Sequence, residues 1–206
     1  MAIWAVTGGI ACGKSAVITA FENLGVVCYS ADADARDAIN DPEVNLAVRL
    51  SFPDALDQNS QVDRAKLGKL IFADPARRIQ LGQIMHPFIR ARMKMRVEQN
   101  HASKLPRLEL FEVPLLYEGG LETWFDGTIC VTCTQDIQKQ RLIERHFARY
   151  STALSDEAVR QVLSSQLPVA EKASKADVVI DNSGSADDLV KAVVNVFERL
   201  SLKANS

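Results

Sequence analysis

The sequence predicts an open, doubly wound α/β protein, and two observations carry this prediction. First, five short apolar runs rich in β-branched residues alternate with segments of helical spacing. Second, these runs are apolar on both faces, which is typical of parallel strands covered by helices on both sides. The five predicted strands are 2–7, 26–29, 108–113, 128–133 and 177–181. In such a fold, ligands bind in the crevice beyond the carboxyl ends of the strands.

The helices between these strands, and two longer interruptions, complete the predicted order of elements. The alternating helices are 14–24, 135–146 and 187–200. Residues 33–104 contain no convincing strand and indicate a helical lobe inserted between the second and third strands. Its helices are predicted at about 42–51, 63–73, 75–84 and 87–101, with Asp63 and Asp74 as N-caps. Residues 146–168 indicate a second helical insertion, capped by Ser155. We expect one domain over residues 1–206.

Composition excludes several classes of protein. With 206 residues, 47% hydrophobic residues and a net charge of -2, the chain has no general attraction to nucleic acid or membrane. It has neither an apolar run of about 20 residues nor a signal-like N-terminus. Cys130 and Cys133 lie on a predicted strand, about 10 Å apart and on opposite faces, so we expect core packing rather than a bridge. We expect a reduced, cytoplasmic protein.

The turn after the first strand predicts a phosphate site. Gly8, Gly13, Lys14 and Ser15 fit the Walker A pattern, and a strand precedes the loop while a helix follows it. Glycines let successive N–H groups face phosphate oxygens, Lys14 reaches the β- and γ-phosphates, and the Ser15 hydroxyl ligates Mg²⁺. A plain glycine turn is the alternative. The predicted ATP-binding residues of the loop are Gly9, Ile10, Ala11, Cys12, Gly13, Lys14, Ser15 and Ala16.

Carboxylates after the second strand are the next candidates. Asp32 and Asp34 follow the run 26–29 in the stretch "SADADAR". A carboxylate there can accept a proton from an attacking hydroxyl, or hold Mg²⁺ through water. Asp32 can equally be a helix N-cap, which is a common role of Asp, and spacing alone does not decide between these roles. Asp34 is expected to be solvated.

A basic stripe is predicted on the helix beside the second insertion. Arg141, Arg145 and Arg149 recur every four residues and therefore drift only about 40° per step around a helix. Such a stripe suits a mobile lid that neutralises charge during phosphoryl transfer. The alternative is a solvated face that is partly paired with Glu144.

These motifs leave more than one reaction open. Kinases, GTPases and ATP-driven machines share the loop, but the Asn-Lys-x-Asp stretch typical of guanine specificity does not occur. A kinase acting on a nucleoside, nucleotide or small alcohol is one rival interpretation. A nucleotide-binding regulator that transfers no phosphate is another, and acceptor-dependent release of ADP would distinguish it.

Six landmarks together give a sharper resemblance. They are "TGGIACGKS" at 7–15, Ala31-Asp32 with Arg36 four residues on, His86-Pro87 opening a helix, "VPLLYEGGL" at 113–121, "QRLIER" at 140–145 and "EKASKADVVIDNSGS" at 171–185. With these, the chain closely resembles the dephospho-coenzyme A kinases over nearly its whole length. That family transfers the γ-phosphoryl group of ATP to the ribose 3′-hydroxyl of dephospho-coenzyme A.

The resemblance implies a fold and a role for each matching residue. The fold is a P-loop kinase core with a five-stranded parallel sheet, helices on both faces, a helical acceptor-binding lobe and a helical lid. The small-molecule partners are ATP and dephospho-coenzyme A, with Mg²⁺ on Ser15. The implied roles are catalysis for Asp32, Lys14 and Arg141; ATP binding for Arg145 and for Asn182 near adenine; and acceptor binding for Asp32, Arg36, His86 and Arg90.

Overall fold

The computed structural model contains one sheet of five parallel strands. It describes residues 2–102 and 108–204, except for the side chains of residues 32, 35, 36, 72, 100, 101, 203 and 204. The strands are β1 Ala2–Gly8, β2 Val27–Ser30, β3 Leu108–Glu112, β4 Gly127–Thr132 and β5 Val178–Asp181. Their order is β2-β3-β1-β4-β5, and every neighbouring pair is parallel. The prediction of a five-stranded parallel sheet is confirmed, with each strand within two residues of its predicted bounds.

Helices occupy most of the remaining described chain. They are α1 Lys14–Asn23, α2 Ala31–Ala38, α3 Pro42–Ser51, α4 Arg64–Ala73, α5 Pro75–Ala102, α6 Gln135–Tyr150, α7 Asp156–Leu163, α8 Val169–Lys175 and α9 Ala186–Ala204. Within residues 2–102 and 108–204, no helix combines the length and the apolarity needed to cross a membrane. The chain divides into two compact units, a sheet unit (residues 1–30 and 97–206) and a helical unit (residues 31–96).

The sheet unit is held by apolar layers on the two faces of the sheet. On one face, Trp4 and Val6 of β1 pack in a cluster with Phe21 of α1 and Val193 of α9. Burial of each large apolar side chain of this kind contributes about 1.5–3 kcal/mol. All four cysteines are free thiols, and Cys130 and Cys133 are buried, which confirms core packing for that pair.

The helical unit has a core of its own. Its cluster includes Val48 of α3, Phe52, Leu67 of α4, and Leu81 and Met85 of α5. Asp side chains begin three of its helices: Asp41 accepts from the first turn of α3, Asp63 from that of α4, and Asp74 from that of α5. The predicted capping by Asp63 and Asp74 is confirmed.

Helix α5 differs from its prediction. Separate helices at 75–84 and 87–101 were expected, with His86-Pro87 opening the second, but α5 runs unbroken from Pro75 to Ala102 with Pro87 inside it. Proline removes a backbone donor and normally ends or kinks a helix. Here the apolar face continues across it, since Ile84 and Phe88 pack on the same cluster. Burial on both sides of Pro87 offsets the lost hydrogen bond.

Asp34 is not solvated, and that expectation was wrong. Its side chain is 4% exposed and forms ion pairs with Arg92 and Arg96 on α5. Arg92 also reaches Asp37, one turn along α2, at 3.5 Å. Because a buried carboxylate is costly unless it is paired, Asp34 fixes α2 against α5 inside the helical unit.

Candidate active site

The loop between β1 and α1 has a backbone that only small residues permit. Gly8 and Gly13 have φ angles of 145° and 90°, a region that favours glycine. A Cβ atom on Gly8 would lie 2.2 Å from the carbonyl oxygen of Val131 in β4. A Cβ atom on Gly13 would lie 2.1 Å from Nδ2 of Asn182. The glycines are therefore required both by the turn and by what packs against it.

The Lys14 side chain forms hydrogen bonds back to the loop backbone. Its Nζ donates to the carbonyl oxygens of Gly8 at 3.2 Å and Gly9 at 2.9 Å. Helix α1 starts at Lys14, and no described side chain caps its first turn. The positive end of a helix with uncapped N–H groups favours anions. Ser15 is exposed in this first turn, so its hydroxyl oxygen is available to a ligand.

Two side-chain amides from distant segments hold the loop's carbonyl groups. Gln138 of α6 donates from Nε2 to the carbonyl oxygen of Ile10 at 2.8 Å. Asn182, just past β5, donates from Nδ2 to the carbonyl oxygen of Cys12 at 2.9 Å. Asn182 was predicted from the resemblance, at adenine, whereas Gln138 was missed. The signal for Gln138 was its position one helical turn before Arg141, on the same face of α6.

Arg141 brings a buried guanidinium nitrogen to this loop. Its Nη1 is buried and has no hydrogen-bond partner among the described residues. The same nitrogen lies 3.7 Å from the position that a Cβ atom on Gly13 would occupy. Buried donors without partners are rare and call for an explanation such as an absent anion. Arg145 and Arg149 are exposed, and the Arg149 guanidinium lies 5.3 Å from the ring centroid of Tyr150.

Comparison with known proteins identifies the family. The profile of the dephospho-CoA kinase family matches residues 2–188. The dephospho-CoA kinase of Enterococcus faecalis is 33% identical over 195 residues, which cover 94% of each chain. The chain belongs to the dephospho-CoA kinase family. The family's fold agrees with this: the crystal structure of a Thermus thermophilus protein matches 97% of each chain, with 33% identity and a TM-score of 0.74. The dephospho-CoA kinase structure from Campylobacter jejuni covers 99% of this chain and 98% of its own, with 28% identity and a TM-score of 0.70.

The family resemblance also named residues in the helical unit. His86 and Arg90 lie one turn apart on α5 and are both exposed. The backbones of Asp32 and Arg36 belong to α2, and their side chains lie outside the described residues. Helix α2 begins at Ala31, so Asp32 lies in its first turn rather than before it. The roles implied for these four residues stay predictions.

A buried lysine fixes the segment after β3, and sequence reasoning missed it. Lys172 of α8 is fully buried, and its Nζ donates to the carbonyl oxygen of Pro114 at 2.7 Å and to Glu118 Oε1 at 2.8 Å. Glu118 Oε1 also accepts from the backbone N–H of Leu167 at 3.0 Å. The Thr7 hydroxyl at the end of β1 shares the Pro114 carbonyl, at 3.4 Å. These bonds join the segment 113–121, the start of α8 and the strand that leads into the phosphate loop.

The thiol of Cys12 lies beneath the phosphate loop. Its Sγ is 3.3 Å from that of Cys133, and both side chains are buried. Burial raises the pKa of Cys12 to about 12, and the hydrogen bond with Cys133 adds to the shift. Cys12 is therefore a neutral thiol at physiological pH, and it packs as a small apolar side chain.

Proposed function

We propose that this protein transfers the γ-phosphoryl group of ATP to the ribose 3′-hydroxyl of dephospho-coenzyme A, in the cytoplasm. The proposal is carried by the glycine loop and by a buried Arg141 nitrogen beside it that has no hydrogen-bond partner among the described residues, in a chain of the dephospho-CoA kinase family. A glycine turn alone has no need of that charge. An oligophosphate in the loop would give the arginine its partner.

The triphosphate is held by fixed donors of the sheet unit. The loop amides and the N-terminus of α1 contact phosphate oxygens, Lys14 reaches the β- and γ-phosphates, and Arg141 stabilises the charge on the transferring group. Arg145, one turn further along α6, also serves ATP. A hydroxyl oxygen is a suitable ligand for Mg²⁺, and the exposed Ser15 would hold that ion. When bound there, the ion would supply positive charge that offsets the negative charge of the phosphate oxygens.

Asp32 acts as the general base at the acceptor. It accepts the proton of the 3′-hydroxyl while the hydroxyl oxygen forms its bond to the γ-phosphorus. The bond from that phosphorus to the β,γ-bridging oxygen breaks in line, and ADP leaves without a phosphoenzyme. Arg36, His86 and Arg90 hold the acceptor, and Asn182 lies near the adenine of ATP. Support for these roles is that Asp32, Arg36, His86 and Asn182 lie in the family's landmarks, and that Arg90 follows His86 by one helical turn.

Water must be kept from the γ-phosphate, since an open site would hydrolyse ATP. The helical segment 146–168 is the proposed lid. Within it, α7 is linked to α6 by an ion pair of 2.7 Å between Asp156 and Lys139. Both side chains of this pair are largely exposed. Exposed pairs contribute about 0–1 kcal/mol, so this link can break during lid movement.

Acceptor-dependent release of ADP tests the activity. Dephospho-coenzyme A is assayed against adenosine, AMP, shikimate and gluconate, and turnover with one of the other acceptors in its place would overturn the assignment. Asp32→Asn is expected to retain ATP binding and to lower kcat by about 10²–10⁴-fold, as the loss of a general base does. Asp37→Asn, in the same helix and 57% exposed, is the matched control. Equal kcat in the two variants would exclude Asp32 as the base.

A further inference from the structure

The peptide groups of the phosphate loop are oriented through their carbonyl oxygens. Because a peptide unit is planar and trans, the C=O of one residue and the N–H of the next point in opposite directions. A donor that holds a carbonyl on one side of the loop therefore turns the following N–H to the other side. Gln138 does this for the unit after Ile10, and Asn182 does it for the unit after Cys12.

The amides set by Gln138 and Asn182 are those of Ala11 and Gly13. Among the hydrogen bonds of the described residues, neither of these N–H groups has a protein acceptor. By contrast, the intervening N–H of Cys12 donates to the carbonyl oxygen of Gly9 at 3.3 Å. The loop therefore presents selected donors, and the selection is made by side chains that lie behind it.

Burial and the start of α6 hold Gln138 in this position. Its side chain is 8% exposed, and the helix that carries it is capped by Thr134, whose carbonyl oxygen accepts from the Gln138 N–H at 2.9 Å. A Cβ atom on Gly9 would lie 2.7 Å from Gln138 Nε2. The glycine at position 9 thus leaves the space through which the amide reaches the Ile10 carbonyl.

We propose that Gln138 is a positioning residue for ATP: through the Ile10 carbonyl it holds the Ala11 N–H toward the nucleotide phosphates. The inference rests on the proposed function, because it assumes that the loop binds the triphosphate. Gln138 contacts the loop from behind and touches no reacting atom. It fixes a donor that ATP uses and the acceptor substrate does not.

The expected signature is a selective loss of ATP affinity. Gln138→Leu removes the donor at similar volume and leaves the Ile10 carbonyl without it, which frees the peptide unit to rotate. Losing one hydrogen bond to a loop of this kind corresponds to roughly a tenfold change in affinity. The Kd for ATP and the KM for ATP should rise by roughly tenfold, while the KM for dephospho-coenzyme A stays within twofold.

Gln138→Glu supplies a readout that a purely structural role would not move. The ionised carboxylate has no hydrogen to donate and repels the Ile10 carbonyl, whereas the protonated acid can donate to it. Burial raises the pKa of such a carboxyl group. The Kd of this variant for ATP should therefore fall toward the wild-type value as the pH is lowered from 8 to 5.5, relative to the wild-type protein at each pH.

The matched controls are Gln140→Leu and Gln140→Glu. Gln140 lies on the same helix, is exposed, and donates from Nε2 to Glu144 Oε1 at 2.9 Å. Binding of ATP is measured by calorimetry on the full chain, together with steady-state kinetics and the thermal midpoint Tm. ATP affinities of the Gln140 variants are expected to stay within twofold of wild type.

The measurements distinguish failure of this proposal from failure of the proposed function. The proposal fails if Gln138→Leu binds ATP within twofold of wild type, or if it weakens ATP and dephospho-coenzyme A equally together with a large fall in Tm. If Gln138→Leu does not fold, the pH dependence of Gln138→Glu decides, and a pH-independent loss overturns the proposal. Wild-type protein that binds ATP but does not phosphorylate dephospho-coenzyme A would refute the proposed function alone, because the Gln138 effect is measured on ATP binding.

Discussion

Replacing Lys172 by methionine tests whether its buried charge holds the segment after β3 in place. The change keeps most of the side-chain volume but removes the bonds to Pro114 and Glu118, of 2.7 and 2.8 Å. Breaking a buried pair costs about 3–5 kcal/mol. Glu118 is 22% exposed and can regain some water, so we take the lower end, about 3 kcal/mol. For a chain of this size, about 2–4 °C of Tm per kcal/mol gives a fall of about 6–12 °C.

The assay is thermal unfolding followed by calorimetry, with urea unfolding at 25 °C for the free energy. Lys175→Met is the control, because Lys175 lies on the same helix and forms a half-exposed pair with Glu171 at 3.1 Å. Its expected effect is below about 1 kcal/mol. Adding Glu118→Gln to Lys172→Met should recover part of the loss, since it removes the uncompensated carboxylate. A Tm for Lys172→Met within 2 °C of wild type would refute the reasoning.

Two further predictions concern the phosphate site and the buried thiols. Arg141→Gln should lower kcat by about 10²–10³-fold in the ADP-release assay, as loss of one transition-state donor does. The control Arg149→Gln should change kcat by less than tenfold. Equal effects of the two variants would contradict the assignment of Arg141. Burial raises the pKa of Cys130 from 9.0 to about 11. Between those pH values the thiol has lost its proton in the unfolded chain but keeps it in the folded chain. The free energy of unfolding therefore falls as the pH rises. Cys130→Ala should make that fall shallower by up to about 1.4 kcal/mol per pH unit in urea titrations, and an unchanged slope would exclude the shift.

The fold could be predicted from sequence because its signals are local. The runs that form β1 to β5 are short and largely apolar, and each has a helical pattern on at least one side. Hydrophobic periodicity and strand length are enough to recognise such elements. Pro87 shows the limit of this reasoning. The local effect of proline predicts a helix break near this residue, whereas α5 continues because Ile84 and Phe88 pack on the same apolar cluster.

The residues that sequence reasoning missed are those whose partners are remote along the chain. Gln138 and Lys172 are ordinary polar residues on helices. The one sequence signal for Gln138 is its position a turn before Arg141, and Lys172 has no comparable signal. Their bonds reach Ile10 and Pro114, at separations of 128 and 58 positions. Asp34 was placed in solvent for the same reason, because its partners Arg92 and Arg96 lie on a helix that begins some 40 residues later. Such contacts can be recognised only when the three-dimensional arrangement of the helices is known.

The wide spacing of the loop's supports has a consequence for biosynthesis. The Walker A segment is translated well before its supports, because the donors at Gln138 and Asn182 lie 128 and 170 positions after the carbonyl groups that they bond. A nascent chain that ends before Asn182 carries the glycine sequence without the groups that set its shape. We therefore expect nucleotide binding during synthesis to begin only after Asn182 has been translated and has folded against the loop.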